Sequence, residues 1–250
     1  MLHAIREVMP DEATVYIADL VHFPYGPRPL EEVKGFAFDL IRYLEDLGVK
    51  LIVIACNTAT AAALSQARER FDVPMVGVVS PGAQSAVQLT ATGVIGVVST
   101  EGTMRSQAYL HAIKEVDPMV KVVQRACPEL VEIVEAGDAD SPRAERALAE
   151  DLSGLAASEA DTLVLGCTHY PLLRPAIERV FPDRFALVDS AETTAAMVKR
   201  RLQHARMLAD AGSHPNHLVQ VTADPEHFRK VSRVLFGDDV EPVSLVKLWD

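Results

Sequence analysis

The sequence predicts an α/β protein built from similar three-layer α/β domains with mostly parallel sheets, on three observations. Short apolar runs rich in Val, Ile and Leu recur along the chain, and segments with three- and four-residue apolar spacing separate them. The runs are continuous rather than alternating, as strands covered on both faces must be.

The first strand is expected at residues 15–18. Val33, Phe36, Leu40, Tyr43, Leu44 and Leu47 then repeat at helical spacing. Strands follow at 51–55 and 76–79, flanking a helix at 59–71. The middle of the chain predicts strands at 94–98, 120–123, 163–166 and 186–188, with helices at 103–115, 143–157 and 174–180. A helix at 193–209, a strand at 219–221, a helix at 225–235 and a weaker strand near Val243 complete the order. Polar stretches at 136–143 and 212–217 are expected to be surface loops. Placing Cys56 over Cys167 superimposes Ile52-Val53-Ile54-Ala55 on Leu163-Val164-Leu165-Gly166, so two strand-to-loop corners each present one thiol.

Composition narrows the chemistry. The chain has 250 residues, a formal charge of −11 and three cysteines. That charge disfavours nucleic acid and anionic lipid, whose binding needs clustered Lys and Arg. No run approaches the ~18 apolar residues of a membrane span, and the start "MLHAIREVMPDE" has neither a basic nor an apolar leader region. A cytoplasmic protein acting on a small molecule is expected. An odd, scattered set of cysteines argues against a disulfide framework and leaves the thiols for packing, metal or catalysis.

In open α/β sheets, ligands bind beyond the carboxyl ends of the strands, and both corner cysteines are predicted there. Each precedes a predicted helix start, after Asn57-Thr58 and at Pro171, where free N–H groups and the helix dipole favour a thiolate. Two thiols facing one carbon suit racemisation: a base on one face removes the Cα proton and an acid on the other returns it. His169 could bond to the Cys167 thiol or to substrate and help set its protonation state. Two other readings stand beside this one. Cys167 and His169, with Cys56 or Cys127, carry soft metal-ligand atoms, although no C-x-x-C or H-x-x-x-H spacing occurs. A cysteine hydrolase needs only one nucleophile, which leaves the second corner unexplained. Cys127, between an apolar run and Pro128, reads as core or pocket wall.

At "FPYGPRPLEEV" (23–33), "ACNTATAAAL" (55–64), "VPMVGVVSPGA" (73–83), "IGVVSTEGTMRSQAY" (95–109), "ACPELVEIVEAG" (126–137), "LVLGCTHYPLL" (163–173) and "VDSAE" (188–192), the chain resembles the glutamate racemases of the aspartate/glutamate racemase superfamily. The resemblance implies cofactor-independent, metal-free interconversion of L- and D-glutamate, supplying D-glutamate for peptidoglycan. Cys56 and Cys167 are then the acid–base pair, supported by His169. It also implies substrate contacts from Tyr25, Gly26, Asn57, Thr58, Thr100, Thr103, Thr168 and His169. Aspartate is the neighbouring substrate, and a non-catalytic binding homologue is the alternative from another class. The domains implied are 1–80 with 190–250, and 81–189, with the active site in the cleft between them. A homodimer is compatible with the resemblance, but the sequence does not fix the oligomeric state.

One departure carries an expectation. The family opens on a strand ending in Asp-Ser-Gly, and "MLHAIREVMPDE" instead resembles the helix that follows it. His22 stands where a basic residue usually precedes the Pro-Tyr-Gly turn. The first sheet should therefore be short of one interior strand, with an effect on stability and on the surroundings of Cys56.

Overall fold

The computed structural model describes residues 1–236 and 242–249. Its first part contains α1 (Leu2–Val8), β1 (Thr14–Ala18), α2 (Leu30–Asp46), β2 (Ile52–Ile54), α3 (Asn57–Arg70) and β3 (Met75–Gly77). The middle holds α4 (Val79–Leu89), β4 (Val94–Ser99), α5 (Glu101–Ser106), α6 (Ala108–Val116), β5 (Lys121–Ala126), α7 (Glu129–Glu135), α8 (Pro142–Ala157), β6 (Thr162–Gly166), α9 (Arg174–Val180) and β7 (Ala186–Asp189). A 3₁₀ turn, Tyr170–Leu173, joins β6 to α9. The last part has α10 (Ser190–His204), β8 (His217–Val221), α11 (Pro225–Phe236) and β9 (Val243–Leu245). Among the described residues no helix is long and apolar enough to cross a membrane.

Every strand pairing is parallel. The middle sheet runs β5-β4-β6-β7. Its inner strands β4 and β6 are buried at every position, which explains their uninterrupted apolar sequences. Val98, Leu163 and Leu165 pack against α7, α8 and α9 on one face, while Ile95, Val97 and Val164 pack against α4 and α6 on the other. Truncating one of these core leucines to alanine is worth about 2–5 kcal/mol.

The two ends of the chain form two separate sheets: among the described residues β2 pairs only with β3, while β1 pairs with β8, which pairs with β9. β2 and β3 are covered by α2 and α3 on one side and by α1 and α10 on the other. β1 and β2 share no ladder, and residues 14–19 and 50–56 line one continuous cavity of about 1730 Å³. All five residues of β1 are only half-buried. β1 and β2 thus belong to different sheets, with the cavity between them.

Two local expectations need correction, and two helices, α4 and α7, were not expected. The single helix at 103–115 is two helices, because Gln107 adopts a left-handed φ of 57° between α5 and α6. The strand at 76–79 ends at Gly77, and Val79 already begins α4. Pro81 and Gly82 disguise α4 in the sequence, yet proline is tolerated in a first helical turn, where its missing N–H has no intrahelical partner to lose. The short α7, within the quoted 126–137 motif, also escapes periodicity.

Candidate active site

Cys56 ends the corner after β2 and Cys167 the corner after β6, both at the carboxyl ends of their strands. Both line the same cavity, together with Tyr25, Gly26, Asn57, Thr58, Thr100, Thr168 and His169. Thr103 does not line it. It lies one layer behind, buried, with its hydroxyl bonded to Thr58 and Thr100. Cys127 is buried in the core, and its carbonyl accepts the Tyr170 hydroxyl at 2.7 Å. Among the described residues no group of three or more His, Cys, Asp or Glu is arranged to hold a metal ion.

The two thiols have different neighbours. Cys167 Sγ lies 3.6 Å from His169 Nδ1, and His169 Nε2 lies 2.5 Å from Glu135 Oε1 at the end of α7. Burial alone would lower the imidazole, but its hydrogen bonds to Cys167 and Glu135 and their charges outweigh that and raise it to about 10. Cys56 instead caps the N-terminus of α3, where the N–H groups of Ala59 and Thr58 and the Thr58 hydroxyl favour its thiolate. Its surface is only partly covered, yet the enclosing cleft pushes the Cys56 thiol up, and the charge on Cys167 adds to that.

Neutral donors and acceptors line the walls. Thr58 and Thr100 hydroxyls lie 2.9 Å apart, Thr58 and Thr103 are 3.2 Å apart, and Thr100 Oγ1 donates to Thr103 Oγ1 at 3.1 Å. Asn57 Oδ1 accepts the Tyr109 hydroxyl at 2.8 Å, while Asn57 Nδ2 is buried with no protein hydrogen-bond acceptor. Such an amide N–H costs about 1–3 kcal/mol unless something in the cavity accepts it. Tyr25 donates to Asp19 Oδ2 at 2.6 Å, and this bond with burial raises the phenol far above its usual range. Gly102 N–H donates to the Gly26 carbonyl at 2.9 Å, joining the Pro24-Tyr25-Gly26 turn to α5 across the cleft. A β-carbon on Gly102 would stand 2.9 Å from that same oxygen, so glycine is needed for the approach.

Glu135 and Asp19 are the residues the sequence alone does not single out. Glu135 sits inside the quoted 126–137 motif, but its partner His169 is 34 positions away. Asp19 lies at the carboxyl end of β1, where the strand-end rule points, yet it carries no motif of its own.

Residues 1–198 match the model of the Asp/Glu/hydantoin racemase family. The glutamate racemase of Exiguobacterium sibiricum is 41% identical over 248 residues, covering 98% of this chain and 92% of that protein. The solved glutamate racemase isoform RacE1 of Bacillus anthracis superposes with a TM-score of 0.94 at 37% identity, covering 99% of this chain and 92% of that one. The Francisella tularensis glutamate racemase, solved in complex with D-glutamate, gives a TM-score of 0.92 at 27% identity, with 99% and 92% covered. With both strand-end thiols on one cavity of a parallel α/β fold, the chain belongs to the Asp/Glu/hydantoin racemase family.

Proposed function

We propose that the chain interconverts L- and D-glutamate without a cofactor, with Cys56 and Cys167 as the two acid–base groups. The observation that carries this is the arrival of two strand-end thiols at one cavity, Cys56 at the N-terminus of α3 and Cys167 beside the His169–Glu135 pair. Cys167, as thiolate beside the His169 imidazolium, takes the Cα proton of one enantiomer. The resulting planar carbanion is reprotonated on its other face by the Cys56 thiol. In the reverse direction the roles exchange, and one proton is carried over the pair. Glu135 holds His169 in its charged form and fixes its ring. Asn57 Nδ2, the Thr58, Thr100 and Thr168 hydroxyls, and the Tyr25-Gly26 turn supply neutral donors for the substrate's two carboxylates, with Thr103 supporting the other threonines.

The same proposal divides the chain into 1–80 with 190–250, and 81–189. It places the enzyme in the cytoplasm, where D-glutamate would serve peptidoglycan synthesis. Solution mass measurement tests whether two copies pair.

The decisive experiment follows Cα hydrogen in deuterated water. Each glutamate enantiomer should acquire solvent deuterium on inversion, because the thiol that returns a hydrogen is not the one that removed it. Inversion with full retention of the original hydrogen would exclude two separate acid–base groups. Turnover of aspartate at the expense of glutamate would reassign the substrate, and binding without turnover of either would leave a non-catalytic homologue.

A further inference from the structure

Trp249 is the only tryptophan in the chain, and the reaction proposed above makes no use of it. β9 runs beside β8, and Val246 N–H donates to the Val221 carbonyl at 2.9 Å. The tail then reaches α2, where the Trp249 indole N–H donates to Asp39 Oδ2 at 3.0 Å. Its ring stands edge-on to His22, with centroids 4.5 Å apart, and edge-on to Phe36 at 6.2 Å. Phe36 stacks flat on His22 from another side at 3.7 Å. Two aromatic groups therefore leave the imidazole a single orientation.

That orientation reaches the cleft in two steps. His22 Nδ1 lies 2.8 Å from Asp19 Oδ2, the same oxygen that accepts the Tyr25 hydroxyl at 2.6 Å. Asp19 Oδ1 accepts the His22 N–H and the Thr222 hydroxyl, each at 3.1 Å. Arg28 donates to the His22 carbonyl at 2.6 Å, and Phe23, beside His22 in sequence, brings its ring within 6.3 Å of the His169 ring. Arg28 thus closes the 22–28 turn onto the backbone of His22, the residue whose ring the tail holds.

We propose that Trp249 is a positioning residue for the substrate site: the C-terminal tail clamps His22 against Phe36 and thereby sets Asp19, Tyr25 and the turn that faces the cavity. The proposal rests on the reading that this turn meets substrate. A tail serving only as packing would affect folding alone. A latch on the turn changes substrate affinity more than chemistry, since neither thiol is touched.

The test uses the full chain and the fluorescence of its single indole. Trp249→Ala should raise KM for both glutamate enantiomers about tenfold while kcat falls less than about threefold. Trp249→Phe, which retains the edge contact and loses only the bond to Asp39, should recover KM to within about threefold of the parent. In the Cys56→Ser, Cys167→Ser double variant, where turnover is blocked, saturating D-glutamate should shift the Trp249 emission. His22→Ala should shift that emission and increase acrylamide quenching with no ligand present. A Trp249→Ala protein with unchanged KM and a lowered melting temperature would reduce the tail to packing. If calorimetry shows no glutamate binding, the racemase proposal fails on its own, and the latch is still decided by the His22→Ala emission: an unchanged spectrum overturns it.

Discussion

The two halves of the molecule build the same corner on unequal foundations. Cys167 follows β6, which lies between β4 and β7 in an unbroken sheet, whereas Cys56 follows β2, which has β3 on one side and the cavity on the other. The charged surroundings differ in the same sense. Cys167 has an imidazole backed by a carboxylate, whereas Cys56 has the N-terminus of α3 and the Thr58 hydroxyl. A strand-end thiol therefore does not need one particular support to reach the cleft.

The comparison is broken most directly at the thiols themselves. Cys56→Ser and Cys167→Ser should each lower kcat by about 10²–10⁴-fold, because a serine hydroxyl is a far weaker acid and its alkoxide is not populated near neutrality. Parent-like activity in either variant, measured in both directions by polarimetry, would show that the two corners are not equivalent partners.

Glu135→Gln sharpens the difference between them. Since the carboxylate helps raise His169 to about 10, its loss lowers that pKa and moves the alkaline limb of the kcat profile towards neutrality, with kcat down about tenfold. An unmoved limb would detach Glu135 from the proton balance.

The cavity between β1 and β2 can be tested as a strand site. Fusing a copy of residues 94–99, Val-Ile-Gly-Val-Val-Ser, ahead of Met1 through a flexible linker offers β1 and β2 an apolar strand of β4 type. If it seats, several ladder bonds of about 1 kcal/mol each should raise the melting temperature by roughly 5 °C or more and slow amide exchange in β1 and β2. A version carrying two prolines should do neither. Equal melting curves for both fusions would mean that the cavity is not a strand site.

The smallest effect concerns stability against pH. His169 is raised in the folded state from an ordinary value near 6.5, so its interactions stabilise the fold fully below that pH and are lost as pH rises through about 10. The melting-temperature gap between the parent and His169→Gln should therefore be widest near pH 6 and shrink towards pH 10. A gap that widens with pH would reverse the assigned charge.

Much of this was legible in the residues because the signals were local. Continuous apolar runs marked β4 and β6, and the repeated strand-to-cysteine pattern marked both thiols. What escaped depended on distant partners or on single backbone angles. Pro81 and Gly82 hid α4, the left-handed Gln107 split one expected helix into two, and Glu135 meets His169 only because α7 ends beside the β6 corner. Trp249 and Asp39 are 210 positions apart, a separation no periodicity can bridge.

The three mutually bonded threonine hydroxyls at the cleft have a topological property of their own. Thr58 belongs to α3, while Thr100 and Thr103 belong to the α5 turn, so the ring is sewn across both halves. Each hydroxyl owns one proton, and a closed three-membered cycle spends all of them internally, leaving only lone pairs outward. Opening the donor bond of Thr58 or Thr100 frees a proton at the cavity wall, because those two residues line it while Thr103 stands behind them. Closed, the ring presents acceptors there; opened at Thr58 or Thr100, it presents a donor. The polarity of this wall can therefore change by hydroxyl rotation alone, with no movement of the backbone.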